Sequence, residues 1–116
     1  MAENDLFGVH GTALAVRSQR MALLASNIAN ASTPGYKAKD IDFGAALKSA
    51  ETGSSIDRGI VANTKYRLPT QMSMDGNTVE LATEQTAFAE NAVAYQTTLS
   101  FLNGRIGTIT RALKGE

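Results

Sequence analysis

The sequence predicts a mainly α fold: long N- and C-terminal helices packed as a coiled-coil hairpin, with an irregular or small β-containing middle segment. Three observations predict it. Apolar residues recur at alternating spacings of four and three from Leu81 to Leu113. A second seven-residue repeat, Phe7, Leu14, Met21 and Ile28, runs through the N-terminal end. Between them, residues 34–76 are rich in glycine and charge and carry no sustained period. The chain of 116 residues therefore divides into 1–33, 34–76 and 77–116, enough for one small domain.

Residues 5–31 read as the first helix. Asn4 or Asp5 can cap it, and Glu3 and Asp5 suit the positive end of the dipole. Leu24 joins the stripe of Phe7, Leu14, Met21 and Ile28. Val9, Val16 and Leu23 form a second stripe of the same period, offset by two residues, about 200° of helical rotation. A helix apolar on opposed faces needs neighbours on both. Thr33-Pro34-Gly35 ends it, because proline pushes the preceding residue out of the helical region and glycine permits a tight turn.

In the middle segment, Phe43–Ala50 can form a short helix. Ile60-Val61 and Tyr66-Arg67-Leu68 are the best strand candidates, interrupted by Pro69. Either a small hairpin module or a loop ordered by a partner is consistent with this stretch, which is long for a simple connection.

Asn77 followed by Glu80 approximates a capping box after an Asp75-Gly76 turn. The second helix then carries Leu81, Gln85, Phe88, Ala92, Tyr95, Leu99, Leu102, Ile106, Ile109 and Leu113 in heptad register. It would run about 50 Å. Gly104 and Gly107 weaken its last third. Pairing this seam with the first stripe leaves Val9, Val16 and Leu23 on one helix, and Val79, Val93 and Phe101 on the other, facing water. These second faces are expected to be subunit interfaces, and the isolated chain is expected to be partly unfolded at both ends until it assembles.

Eleven basic and eleven acidic side chains cancel. That argues against nucleic acid, whose phosphates call for a basic surplus. There is no cysteine, which excludes disulfides and thiolate metal sites. The N-terminus shows no Sec-type signal peptide, and no run is long enough to span a membrane. His10, the only histidine, lies near the apolar seam and reads as a packing or interface residue. Asp40, Asp42 and Asp57 lack EF-hand spacing and read as solvated loop charges. No nucleophile elbow or phosphate-binding glycine pattern is present. Catalytic, metal and cofactor-binding residues are therefore assigned as none, with no small-molecule substrate.

Asn27 and Asn30 stand three apart at the helix end and precede Thr33-Pro34-Gly35-Tyr36-Lys37. Generic capping explains one of them comfortably. The two together, with Ile28 between them, resemble the N-terminal signature of the bacterial flagellar axial proteins, the rod, hook and hook-cap family. Ser26 stands where many members carry Asn, a departure shared by the proximal-rod type. Tyr36-Lys-Ala-Lys-Asp-Ile-Asp-Phe43, Asp75-Gly-Asn-Thr-Val-Glu80, Phe88-Ala-Glu-Asn91, Tyr95-Gln96 and Leu99-Ser-Phe-Leu-Asn103 look most like that type.

The resemblance implies a non-enzymatic structural protein, a single rod-subunit domain over 1–116. It implies polymerisation through coiled-coil helices to transmit torque. The implied partners are copies of itself, other flagellar rod subunits, the basal-body membrane ring with its small adaptor protein, and the flagellar export apparatus. The implied place is the periplasmic rod of the basal body, reached without a cleaved signal peptide. A different class remains as the alternative: a cytoplasmic helical adaptor or export chaperone that binds a partner helix through the same seam.

Overall fold

The computed structural model describes residues 8–53, 55–71 and 73–115. Glu3, Asn4, Asp5 and Phe7, to which the cap, the dipole partner and the first seam position were assigned, lie outside the described residues. Six elements follow in order: α1 (Gly8–Ala29), β1 (Lys39–Ile41), α2 (Phe43–Glu51), α3 (Ile56–Ala62), β2 (Thr64–Tyr66) and α4 (Leu81–Lys114). The fold is mainly helical, with the long terminal helices packed together and a small antiparallel sheet in the middle segment. It is elongated, 64 × 26 × 18 Å.

The helices α1 and α4 run antiparallel. Asn27 meets Glu84 at one end of the pair, and the His10 and Phe101 rings meet at the other, 4.6 Å between centroids. The opposite face of α1 is covered by the middle segment. Val16, Ile41 and Ala46 form a buried cluster there, with Leu23, Phe43 and Ile60 packed around it. This changes the reading of the second stripe. Val16 is 1 % exposed and Leu23 half-buried, both covered within the chain, and only Val9 is left largely open. The opposed apolar faces of α1 did need two neighbours, but one of them is the chain's own middle segment.

That segment holds two short helices. Asp42 caps α2, its carboxylate accepting from the Ala45 N–H, and Ser55 caps α3 through the Arg58 N–H. Asp42 is thus a helix cap rather than a free loop charge. Ile60-Val61, one of the two strand candidates, lies in α3 instead. The Ser55 cap starts the helix, and Gly59 lets it approach α2 closely: a Cβ there would sit 3.3 Å from Ser49 Oγ and 3.4 Å from the Ala46 carbonyl oxygen. Ile60 is thereby turned into the core. The strand around Tyr66 begins two residues earlier than expected, at Thr64, and pairs with β1, which has no strand signal of its own. The register is Lys39 to Tyr66, Asp40 to Lys65 and Ile41 to Thr64.

The second long helix runs unbroken through Gly104 and Gly107 to Lys114. Its cap is Glu80, with no side-chain cap bond, so the expected Asn77 capping box does not form. The face it buries is rotated from the expected seam. Glu84, Asn91 and Leu102 are buried, with Phe88, Tyr95 and Thr98 half-buried on the same line. Leu81, Gln85, Ala92 and Leu99 stand to one side of it, and Leu81 is 45 % exposed.

Candidate functional site: a polar junction and an open helical face

Two of the stretches that carry the family resemblance, residues 27–43 and 75–80, meet in space at the end of α1. Asn27 is fully buried. Its Nδ2 donates to the Lys39 carbonyl (2.7 Å) and to Glu84 Oε2 (3.1 Å). Its Oδ1 accepts from the Lys39 N–H and from the Tyr36 hydroxyl, each at 3.2 Å. Asn30 does the work of a helix terminator: its Nδ2 donates to the Ser26 carbonyl and its Oδ1 accepts from the Thr33 hydroxyl. The two asparagines therefore have different tasks, one capping α1 and one reaching sideways to β1 and α4.

Asn77 acts as a clasp. Its Nδ2 lies 2.8–3.1 Å from the carbonyl oxygens of Asn30, Ala31 and Thr33, in the turn that follows α1. Its Oδ1 accepts from the Val79 N–H. Beside it the Gly35 N–H donates to the Asp75 carbonyl, and the Thr78 N–H to the Tyr36 carbonyl. Gly35 and Gly76 both adopt positive φ, 75° and 77°, which glycine alone takes without cost. Lys37 Nζ donates to the Gly76 carbonyl at 2.6 Å.

A chain of alternating charges continues from this junction. Arg20 grips Asp40 with two parallel hydrogen bonds, 2.8 and 3.0 Å. Arg67 bridges Asp40 (2.7 Å) and Glu84 (2.6 Å). Glu84 is fully buried, and Asn27 satisfies its other oxygen. One network thus ties α1, β1, the segment after β2, and α4. Burial pushes the Asp40 carboxyl up, but the Arg20 hydrogen bonds and charge, the Ile41 N–H and the Arg67 charge outweigh it. The net effect holds Asp40 below the usual carboxylate range. The Arg20 pKa is raised, chiefly by its hydrogen bond to Asp40, against the opposing effect of burial. Burial, then the charge of Arg20, lowers Arg17, whose guanidinium carbon sits 4.0 Å from the Phe43 ring centroid. The reading of Asp40 as a solvated charge is therefore corrected: it is a paired, largely buried residue. Both carboxylates of the network are committed to guanidinium groups, an arrangement that positions segments rather than moving protons.

Other assigned positions fall as follows. Leu24 is fully buried, and Leu14, Met21 and Ile28 are half-buried. On α4, Leu102 is buried, while Phe88, Tyr95, Leu99 and Ile109 are half-buried. Ile106 is 44 % and Leu113 84 % exposed, because α4 continues beyond the His10–Phe101 contact. Val79 is half-buried, Val93 is 67 % exposed and Phe101 60 %. Val93 and Phe101 line a shallow apolar groove with Ala92, Gln96, Thr97 and Ser100 on the side of α4 away from α1. Phe101 is not wholly free, since His10 packs on it. Pro34 is exposed and Tyr36 half-buried at the turn. Sequence reasoning missed Arg20, Arg67 and the burial of Glu84 and Asn91. A usable signal existed for the last two, which are seven residues apart. Among the described residues no helix is long and apolar enough to cross a membrane.

Two long antiparallel helices, locked by polar contacts to the segment between them, place the chain in the class of helical-hairpin proteins. The family model for flagella basal body rod proteins matches residues 7–37. The flagellar basal body rod protein FlgB of Cereibacter sphaeroides (strain ATCC 17029) is 48 % identical, over 97 % of this chain and 96 % of the relative. FlgB of Aeromonas hydrophila is 42 % identical over 95 % and 93 %. FlgB of Escherichia coli K12 is 40 % identical over 88 % of each. The chain belongs to the flagellar basal body rod protein FlgB family, whose members are structural proteins of the flagellar basal body.

Proposed function

We propose that this chain is a non-catalytic structural subunit of the proximal rod. It polymerises through its long helices and transmits torque, with residues 1–116 acting as one rod-subunit domain. The observation that carries the assembly mode is the apolar surface of α4. Leu81, Val93, Phe101, Ile106 and Leu113 are each at least 44 % exposed, more than an unpartnered helix ordinarily shows to water. In this reading Val93 and Phe101, with Val9, pack on neighbouring copies or other rod subunits, and Ile106, Ile109 and Leu113 continue the seam onto a neighbour. The motif residues Asn27, Ile28, Asn30, Thr33, Pro34, Gly35, Tyr36 and Lys37 fix the angle at which the middle segment leaves α1. The partners are other rod subunits, the membrane ring with its adaptor protein, and the export apparatus that delivers the chain uncleaved to the rod.

Torque is then shared across many helix contacts in parallel in a helical stack that does not close into a ring. The test is Ile106→Asp, a change at a surface position of the isolated chain. Normal cellular protein level, with loss of basal-body rods and of swimming, is the expected result. Normal swimming at normal protein level would overturn the assembly mode. A stable soluble dimer that never enters purified basal bodies would favour the adaptor reading instead.

A further inference from the structure

We infer that Glu84 and Asn91 set the register of α1 on α4, holding the two helices in the observed pairing rather than in one shifted by a heptad. Apolar burial does not select that register. Both helices carry a seven-residue repeat, so sliding one past the other by a heptad, about 10.5 Å, again matches apolar with apolar. A slide of α1 toward the C-terminus of α4 would place it over residues 91–109. Ile106 and Ile109 would then occupy the places of Leu99 and Leu102, and Arg105 the half-buried place of Thr98, from which its long side chain can still reach water. Ile106 is 44 % exposed in the observed register, so the slipped pairing covers apolar surface that the observed one leaves wet.

The polar contacts select what the apolar ones do not. Glu84 is fully buried and accepts from Asn27 of α1 at 3.1 Å and Arg67 at 2.6 Å. Asn91 is 1 % exposed and donates to the Arg17 carbonyl of α1 at 2.9 Å. A one-heptad slip takes Glu84 away from Asn27 and Arg67 and brings Asn91 opposite Asn27, so that a neutral amide must replace the carboxylate that both groups bond in the observed pairing. Asn91 also keeps a buried Oδ1 that has no hydrogen-bond partner among the described residues. A leucine there would suit a helix interface better on stability alone. An asparagine that is poor for stability, at the centre of a heptad interface, is the pattern of a register determinant.

The chain has no cysteine, so two engineered pairs can read the register. His10→Cys with Phe101→Cys reports the observed pairing, where the two rings lie 4.6 Å apart. His10→Cys with Thr108→Cys reports the one-heptad slip. A short thiol–thiol crosslinker is applied to the purified chain, and gels separate products within one chain from products between chains. With Glu84 and Asn91 present, the 10–101 product within one chain dominates. In Glu84→Leu/Asn91→Leu its yield falls at least about twofold, and the 10–108 product rises in its place. Asn91→Leu alone leaves Glu84 with Arg67 and Asn27, so it decides the question if the double variant does not fold. It should show a smaller redistribution with no fall in melting temperature. An unchanged product ratio in the double variant, or in Asn91→Leu where only that variant folds, overturns the inference and leaves the register to the Asn77 clasp.

Discussion

At the Asn27 end of the helix pair, α1, β1, α4 and the segment after β2 are tied by two carboxylates, two arginines and Asn27. Beyond the His10–Phe101 contact at the other end, α4 continues to Lys114 with Ile106 and Leu113 exposed. The first region satisfies its polar groups within the chain and should fold without help. The second presents apolar surface that other chains can use. In the proposed assembly, the part that defines the subunit is thus separate from the part that joins subunits. Among the described residues, disorder in the isolated protein should then be greatest at the far end of α4.

Breaking the locked end should have the largest effect. Glu84→Ala leaves Arg67 and Asn27 without their shared partner, and loss of one member of a buried pair costs about 3–5 kcal/mol. Urea denaturation should show that loss, together with release of the middle segment. Leu24→Ala, at a fully buried position, should cost about 2–5 kcal/mol by the same measurement. Asn77→Ala removes the clasp on the turn after α1 and should cost about 1–3 kcal/mol. Hydrogen exchange should then rise in the turn at residues 30–38.

A smaller effect comes from pH. The Asp40 carboxyl is held below its unfolded value, which is about 3.9. Its contribution is therefore fully present above that value and is lost as pH falls through the lower, folded one. Stability should decline on acidification below about pH 4, and Asp40→Asn should flatten that part of the pH profile while lowering stability at neutral pH. The smallest effect on the isolated chain belongs to the open end. Leu113→Ser, at 84 % exposure, should change its stability by no more than about 0.5 kcal/mol. It should nevertheless weaken assembly in basal-body preparations.

Periodicity made the two long helices legible, and the Thr33-Pro34-Gly35 stop located the end of α1 to within two residues of Ala29. Periodicity misplaced the face of α4 because hydrophobicity ranks Leu81 and Leu99 above Glu84 and Asn91. Only the fold reveals that Asn27, Arg67 and the Arg17 carbonyl wait for those polar groups. The same limit hid β1: Lys39-Asp40-Ile41 has no strand pattern, and its conformation is held by Asn27, twelve residues away, and by β2. In α3 the β-branched pair Ile60-Val61 suggested a strand, but the Ser55 cap and the close approach of Gly59 to α2 outweigh that local preference. The motif residues were visible as a constellation, while their division of labour needed coordinates. Asn30 ends its own helix, whereas Asn27 serves two other elements.

The Asn27 side chain has a further consequence. Its amide offers one donor and one acceptor to the Lys39 carbonyl and N–H, as a residue of a neighbouring strand would. The Asp40 carboxylate occupies the Ile41 N–H in the same manner, at 2.7 Å. Side chains thus impersonate a third strand along the inner edge of β1 and close the two-stranded sheet on that side. Any strand supplied by another chain must add along Thr64–Tyr66, which gives the small sheet a polarity: one sealed border and one border at which it can grow.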